Sequence, residues 1–339
     1  ANNGSITLDE LAIDGTIGLN THGTGNATVV NDNGLEFASS TVGGDLHATA
    51  TIGNITQNSE ALAITGTTTL VTAASNASIT LGTTSNAFTG ALIITTRDDD
   101  ADGTDGDVTI HGGTTALVLG ASTIEGDLAL TSTATGDDKI TNTGTLNIRG
   151  TTTVSAIGVN VELDSAANNF EGAVSINGVD VTVVDRNDIE FTTSNITGAF
   201  DLTAGGGVTD SGRLTIKDDT NINASSGNVV LNEGTNDFQK AVKIIGVNVT
   251  LVDTNAIDLG ASTVGGDYVV TAGGDITDSG VLNITGTSAF TAAGGQSILL
   301  VESSTFTGAV TFSPSSGTLA GVSITDSTDF DLQALTLSG

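Results

Sequence analysis

The residues best suited to chemistry in this chain are six aspartates between positions 98 and 107. They are Asp98, Asp99, Asp100, Asp102, Asp105 and Asp107, and two glycines lie among them. Carboxylate oxygens at this density are the ligands that a hard cation such as Ca²⁺ prefers. The segment lacks the glutamate that ends an EF-hand loop, and no Gly-Gly-x-Gly-x-Asp repeats accompany it. Two interpretations stay open: a weak calcium site, and a solvated acidic loop without metal.

Zinc and nucleophile chemistry have little material in this sequence. The three histidines, His22, His47 and His111, have no second histidine or cysteine at ligand spacing, so we interpret them as surface turn residues. Cysteine is absent, and no Gly-x-Ser-x-Gly motif occurs with a plausible base.

Some aspartates outside the acidic segment recur from repeat to repeat. Two such sets are Asp45, Asp127 and Asp267, and Asp185 and Asp253. A polysaccharide lyase or hydrolase would instead need carboxylates that converge in one place. The recurrence is typical of turn formation, and we predict no enzyme, no catalytic residues and no cofactor except the calcium ion considered above.

A sequence repeat must position all of these residues. Val181-Thr-Val-Val-Asp185 returns as Val249-Thr-Leu-Val-Asp253, at a period of about 68 residues. Within one unit, apolar anchors follow each other at steps of about 25, 24 and 19 residues, from Ile189 to Leu214, to Phe238 and to Ile257. Self-similarity at a fixed period indicates units that stack on their neighbours, because none can bury its apolar face alone.

The repeat has the pattern of β-strands. Short runs such as Leu282-Asn-Ile-Thr285 alternate apolar and polar residues, and glycine-containing turns separate them. Three similar coils in each repeat predict an all-β parallel β-helix, or β-solenoid, of about 15 coils. A string of β-sandwich domains is the alternative, but sandwiches have units of about 100 residues and usually a core tryptophan. The chain has no tryptophan and one tyrosine.

We predict a single solenoid over residues 1–339 with one insertion. From Phe88 to the next anchor at Leu117 the step is about 29 residues, against about 19 elsewhere, and the excess coincides with the acidic loop 98–107. The repeat units run approximately over 1–34 (partial), 35–116, 117–188, 189–256, 257–329 and 330–339 (partial). Neither terminal strand has an obvious cap, so we expect the ends to continue into a longer chain or to stack on other copies.

Composition restricts the partners. Acidic residues outnumber basic ones 39 to 8, which gives a formal net charge of −31. Such a surface repels nucleic acid and anionic lipid. No apolar run is long enough to span a membrane. We therefore expect no nucleic-acid partner and no membrane insertion.

The repeats resemble those of a known class of bacterial protein. Leu259-Gly-Ala-Ser-Thr-Val-Gly-Gly-Asp267 and Thr305-Phe-Thr-Gly-Ala-Val310 are similar to the repeat regions of surface adhesins and exoproteins of the filamentous-haemagglutinin type. The resemblance covers roughly residues 35–339 and implies a secreted, right-handed parallel β-helix at the bacterial cell surface or in the extracellular matrix. Asn31-Asp-Asn-Gly34 differs from the Asn-Pro-Asn-Gly signature of that family's secretion domain, so the export route stays open.

These observations predict a non-enzymatic extracellular structural or adhesive rod, part of a large surface adhesin or of a self-stacking fibre. Its expected partners are the chain itself, end to end, or the rest of a longer chain, and glycans or proteins on host or neighbouring cells. A carbohydrate-binding or polysaccharide-processing β-helix is an alternative. An ice- or crystal-binding solenoid is another, indicated by Thr67-Thr-Thr69 and Thr151-Thr-Thr153, although unequal coil lengths would disrupt a lattice.

Overall fold

The computed structural model describes residues 3–99, 105–136 and 139–333. These residues form 42 β-strands and no helix, and the pairings between neighbouring strands are parallel. The predicted all-β parallel β-solenoid is therefore confirmed. Three strands make one turn, so the number of strands agrees with the expected number of about 15 turns. Nowhere in the described ranges is there a helix capable of crossing a membrane.

The chain divides into two units, Ala1–Val179 and Asp180–Gly339. The strands of the first unit are β1 Ile6–Leu11, β2 Thr16–Ile17, β3 Ala27–Asn31, β4 Leu35–Phe37, β5 Ser40–Val42, β6 Leu46–Ala50, β7 Ile55–Gln57, β8 Leu62–Ile64, β9 Thr68–Thr72, β10 Ile79–Leu81, β11 Ala87–Phe88, β12 Leu92–Thr95, β13 Val108–His111, β14 Leu117–Leu119, β15 Ser122–Ile124, β16 Leu128–Thr131, β17 Lys139–Asn142, β18 Leu146–Ile148, β19 Thr152–Ser155, β20 Asn160–Leu163, β21 Asn169–Phe170 and β22 Val174–Gly178.

The second unit contains the remaining strands. They are β23 Val181–Asp185, β24 Ile189–Phe191, β25 Ser194–Ile196, β26 Phe200–Ala204, β27 Val208–Asp210, β28 Leu214–Ile216, β29 Thr220–Ala224, β30 Val229–Leu231, β31 Asp237–Phe238, β32 Ala241–Gly246, β33 Val249–Asp253, β34 Ile257–Leu259, β35 Ser262–Val264, β36 Tyr268–Ala272, β37 Ile276–Asp278, β38 Leu282–Ile284, β39 Ser288–Ala292, β40 Ser297–Phe306, β41 Val310–Pro314 and β42 Gly321–Asp326.

A turn of the second unit typically combines one longer strand with two short ones. After β23, β24 and β25 the chain returns so that β26 pairs with β23, and Val181 aligns with Phe200 and then with Thr220. One turn therefore takes roughly 20 residues, the low end of the range for solenoid repeats. Adjacent strands of a sheet lie about 4.8 Å apart, so residues aligned in this way form columns along the solenoid.

Each repeat contains slightly more than three turns. The longer strands β23, β26, β29 and β32 form one column, but β33, β36, β39 and β41 form another, which continues the short strands β24, β27 and β30. The first three repeats have ten strands each, and in the fourth β40 takes two strand positions because it pairs with both β37 and β38. Ten positions at three to a turn leave one over, so the longer strands move to the next face of the coil. The first unit does the same from β12 to β13. We call β3–β12, β13–β22, β23–β32 and β33–β41 the first to fourth repeats.

The side chains alternate between the interior and the surface. In β33, Val249, Leu251 and Asp253 are buried, while the two residues between them face outward. The phenylalanines at the anchor positions of the four repeats, Phe88, Phe170, Phe238 and Phe306, are at most 1% exposed and lie in the core. Removing this apolar surface from water is the main stabilising contribution to each unit.

Candidate functional site

The recurrent turn aspartates bind backbone amides of the following turn. Each carboxylate lies just before a longer strand and accepts a hydrogen bond from the residue at the same place one turn later. The bonds join Thr67 N to Asp45 Oδ1 (2.8 Å), Thr151 N to Asp127 Oδ1 (2.6 Å) and Thr287 N to Asp267 Oδ1 (2.8 Å). The Thr287 hydroxyl donates a second bond, and these contacts hold the pKa of Asp267 below its ordinary value. The prediction that these three aspartates form turns is confirmed, but Asp185 and Asp253, for which we predicted the same, are the buried last residues of β23 and β33.

Glycine is required where this carboxylate crosses to the next turn. A Cβ atom on Gly66 would lie 2.3 Å from Asp45 Oδ1, and one on Gly286 would lie 2.6 Å from Asp267 Oδ1. No side chain fits at these distances, so the carboxylate occupies the space that a larger residue would take. The Gly-Asp and Gly-Thr pairs of the sequence thus form one series of hydrogen bonds between aspartates and the backbone amides of the next turn, which we call the turn ladder.

A second recurrent group is an asparagine two residues before the anchor phenylalanine. Its amide oxygen accepts a hydrogen bond from a strand of the preceding turn. The bonds join Leu62 N to Asn86 (2.9 Å), Leu146 N to Asn168 (3.0 Å) and Leu214 N to Asn236 (2.8 Å). Ser304 replaces asparagine in the fourth repeat and accepts from Leu282 N at 3.0 Å. Sequence reasoning missed these buried residues, although an asparagine precedes every anchor but the last at the same distance.

Asp253 is a carboxylate inside the solenoid. It is 2% exposed, and its two oxygens accept bonds from Phe238 N (2.9 Å) and Asn255 N (2.6 Å). Burial raises the pKa of Asp253 to about 6, since it disfavours the ionised form, and the negative charge of Asp237 adds to the rise. The two backbone hydrogen bonds oppose it. Burial likewise raises the pKa of Asp278.

The first repeat has an amide at the position equivalent to Asp253. Asn31 is also buried, but its Oδ1 accepts from Ile13 N (3.0 Å) while its Nδ2 donates to Ile13 O (2.9 Å) and Gly34 O (2.6 Å). The site therefore needs a hydrogen-bonding side chain, but its charge differs between repeats. Asp253 is therefore held by backbone amides as part of the fold.

The structure describes four of the six aspartates predicted as calcium ligands. Asp107 Oδ1 accepts the N–H of Asp127 at 2.9 Å and so belongs to the turn ladder. Asp99 Oδ1 accepts from Asn76 Nδ2 at 3.1 Å. Asp98 and Asp105 are described as well, whereas Asp100 and Asp102 lie outside the described residues. Among the residues with described positions, no three acidic or histidine side chains are grouped as metal ligands. The calcium site stays a prediction.

Two of the three histidines differ in position from what we predicted. His22 is exposed next to a turn, but His47 lies in β6 and His111 lies in β13, so the turn assignment is wrong for these two. Both are in strands because an outward position tolerates a polar residue. His111 Nδ1 accepts a hydrogen bond from Gly113 N at 3.0 Å.

The outer face of the third repeat has charged side chains among the outward residues of its longer strands. Along β23, β26, β29 and β32, register places Thr182, Asp201, Asn221 and Lys243 in one row, and Val184, Thr203, Asn223 and Ile245 in the next. A shallow depression of about 230 Å³ lies over these strands. Asn221 Nδ2 donates to Asp201 Oδ1 at 2.8 Å. We call these eight residues the third-repeat face.

Sequence reasoning did not single out the third-repeat face. Its residues lie a whole turn apart in the chain, and only the register of the strands brings them together. The signal that would have revealed them is the turn length, because outward residues one turn apart in the chain become neighbours on adjacent strands.

The strand groups coincide with a known sequence family. A family model described as repeats of unknown function (DUF5649) matches residues 24–95, 105–177, 178–245 and 246–313. The chain belongs to this family. Each DUF5649 repeat starts just before the first longer strand of one repeat and ends with its last, so the family unit is the group of three turns plus one strand. Comparison with curated proteins and with solved structures gave no match.

Proposed function

We propose that the chain is a non-enzymatic extracellular rod that displays adhesive surfaces, as part of a large bacterial surface adhesin or of a self-stacking fibre. One observation carries this proposal. The inward positions of the strands stay mainly apolar in all four repeats, and the ladder aspartate recurs in the first, second and fourth, whereas the outward residues of the longer strands differ from one repeat to the next. A coil whose interior stays apolar while its outward residues vary is suited to display.

The recurrent polar groups are occupied in holding turns together. Asp45, Asp127 and Asp267 bind backbone amides, and Asn86 and Asn236 cap strands from inside. These side chains are thus committed to structure, which supports a scaffold over an enzyme. The outward residues are the variable part and are available to partners.

Composition supports a role outside the cell. A net charge of −31 keeps a β-rich surface soluble and resists side-by-side aggregation. The absence of cysteine means that stability does not depend on disulfide formation or on a redox compartment. The resemblance to filamentous-haemagglutinin repeats adds the expectation of a secreted, cell-surface or matrix location, with glycans or proteins of other cells as partners and Ca²⁺ as a candidate ion.

Two measurements on native and purified material test the proposal. Immunogold labelling of intact, unpermeabilised cells is expected to decorate the surface or extracellular fibres, with permeabilised cells as the control for total antigen. Beads coated with the purified chain are expected to adhere to cells more than beads coated with albumin. Labelling only after permeabilisation would contradict the location. Release of reducing sugar from a polysaccharide by the purified chain would contradict the non-enzymatic assignment.

A further inference from the structure

We propose that the third-repeat face is a binding site for a neutral polysaccharide, with Asp201, Asn221, Asn223 and Lys243 as its hydrogen-bonding residues. A ligand for one face presupposes that the faces of the scaffold serve for display, so this inference rests on the function proposed above.

The spacing of the side chains suits a chain of sugar rings. Asp201, Asn221 and Lys243 are aligned on consecutive strands, so they follow each other at about 4.8 Å. Asn223 lies two residues beyond Asn221 on the same strand, about 6.6 Å away along the chain direction. Polar groups therefore approach the depression from two rows, which allows contacts with several hydroxyls of one ring and with the next ring.

The donor and acceptor types match hydroxyl groups. Asp201 offers acceptors only, Lys243 offers donors only, and each asparagine offers both. A sugar hydroxyl donates and accepts at the same time, so it can bridge an aspartate and an amide on neighbouring strands. Asn221 Nδ2 already donates to Asp201 Oδ1 at 2.8 Å, which holds both side chains in position before a ligand arrives. Val184 and Ile245 border these groups with apolar surface for the C–H side of a ring.

Charge favours a neutral ligand. The face has one carboxylate and one ammonium group, with Asn221 between them, so it carries no net charge of its own. A polyanion would meet the field of a chain with net charge −31 and a single local cation. A hard cation would find one carboxylate, whereas calcium sites have about six to eight oxygen ligands. Neither charged class fits as well as a polyhydroxyl compound.

The other repeats provide an internal control. Their outward residues at equivalent positions contain no aspartate, glutamate, lysine or arginine. In the fourth repeat these residues are Thr250, Val269, Ala289 and Thr311 in the first row and Val252, Thr271, Thr291 and Ser313 in the second. The pairing of the longer strands is the same, so the proposed binding depends on side chains that only the third repeat has.

Affinity electrophoresis of the purified full chain tests the site. Native gels would contain mixed-linkage β-glucan, xylan, galactomannan or dextran as neutral probes, and alginate as an anionic one. At least one neutral probe is expected to retard the chain, and alginate is not. The double variant Asn221→Ala/Asn223→Ala is expected to raise the dissociation constant at least about tenfold, because several hydrogen bonds are lost. The matched variant Thr271→Ala/Thr291→Ala in the fourth repeat is expected to migrate like the wild type.

A second measurement separates binding from folding. All substituted side chains point away from the core, so urea-denaturation midpoints are expected to be unchanged, and Asp201→Ala provides an independent variant. With the neutral probe that binds, NMR shift changes are expected at residues 201–203 and 221–223. The site would be overturned if no neutral probe retards the chain or if alginate alone does. It would also be overturned if the fourth-repeat variant loses as much affinity as the third-repeat variant. Such a result leaves the scaffold proposal standing, since that depends on surface labelling of cells.

Discussion

The first and fourth repeats follow the same course but fill their interiors differently. At four equivalent inward positions the first repeat has Leu46, Leu70, Phe88 and Ile94, and the fourth has Tyr268, Phe290, Phe306 and Phe312, all of them buried. Phe290 lies edge-on to Tyr268 and Phe306, with ring centroids 6.0 and 6.1 Å apart, and stacks on Phe312 at 5.8 Å. The coil therefore tolerates an aliphatic or an aromatic interior, provided that the position stays apolar.

The two repeats differ in a second way, at the buried corner after the first longer strand. Asn31 donates and accepts there, whereas Asp253 only accepts, from two backbone amides. In both repeats the buried side chain must form hydrogen bonds. Because Asp253 can ionise, the stability of the fourth repeat depends on pH.

Truncation in the aromatic cluster is expected to have the largest effect. Phe290→Ala removes a ring that touches three others, and its cost to the free energy of unfolding is expected to be about 4 kcal/mol. Phe290→Leu introduces the residue of the first repeat and is expected to cost less than half as much. Urea denaturation followed by circular dichroism measures both. Equal costs would mean that ring contacts, not volume, determine packing in the fourth repeat.

Loss of the buried asparagine is expected to come next. Asn236→Ala leaves the N–H of Leu214 without its partner inside the core, which is expected to destabilise the fold by about 2–3 kcal/mol. Asn236→Ser copies Ser304 of the fourth repeat, which accepts the equivalent bond, and is expected to recover more than half of the loss. The same denaturation series checks this. A serine variant no better than alanine would show that the third and fourth repeats are not interchangeable here.

Asp253 is expected to make stability depend on pH between about 4 and 7. Its folded pKa of about 6 lies above the ordinary value of 3.8, so the folded state binds the proton more tightly than the unfolded state. Its contribution is therefore fully present below pH 3.8 and is lost as the pH rises through about 6. The loss is up to about 3 kcal/mol, since one pKa unit corresponds to about 1.4 kcal/mol.

The variant Asp253→Asn, which introduces the amide of Asn31, isolates this contribution. Other carboxylates also titrate, so the informative quantity is the difference in unfolding free energy between wild type and variant. That difference is expected to fall as the pH rises from about 4 to about 7, because the variant does not titrate at this position. Unfolding midpoints at several pH values measure it. A difference independent of pH would contradict the raised pKa.

The exposed turn ladder is expected to give the smallest effect. Asp267→Ala removes the acceptor for Thr287 N and its hydroxyl, so a slight loss of stability is expected, smaller than that of Asn236→Ala. Asp267→Asn is expected to be close to neutral, since Asn248 Oδ1 plays the same part toward Asp267 N at 2.9 Å. Because its pKa is lowered, the carboxylate's additional contribution is present above pH 3.8 and is lost on acidification below it. Thermal unfolding at neutral and at acidic pH compares the variants.

Local pattern was sufficient for the elements of the fold. Alternation in runs such as Val249-Thr-Leu-Val252 predicts a strand because successive side chains of an extended chain point to opposite sides, and the structure has β33 there. The anchor phenylalanines were identifiable because they recur at the period of the repeat. Asp45 and Asp267 were identifiable as turn residues for the same reason, since they follow glycine at equivalent positions.

The buried polar residues were less accessible to sequence reasoning. Asn236 and Asp253 are of types usually found at the surface, and nothing in their immediate neighbours distinguishes them from exposed turn residues. Their partners, the N–H groups of Leu214 and Phe238, are 22 and 15 residues away in the chain. Whether such a group is buried depends on which backbone groups the next turn brings to it.

The sequence by itself determined that the chain is a stack of short parallel strands with an apolar interior, because the alternation within each strand and the longer period of the repeat are both present in the order of its residues. Tertiary structure alone decided which outward residues become neighbours. Asp201, Asn221 and Lys243 are separated by whole turns, and the turns have unequal lengths, so only the register of β26, β29 and β32 aligns them. The extra strand at the end of the third repeat also moves the longer strands to another face of the coil, from β32 to β33, because backbone pairing follows turns of three strands and not the period of the sequence.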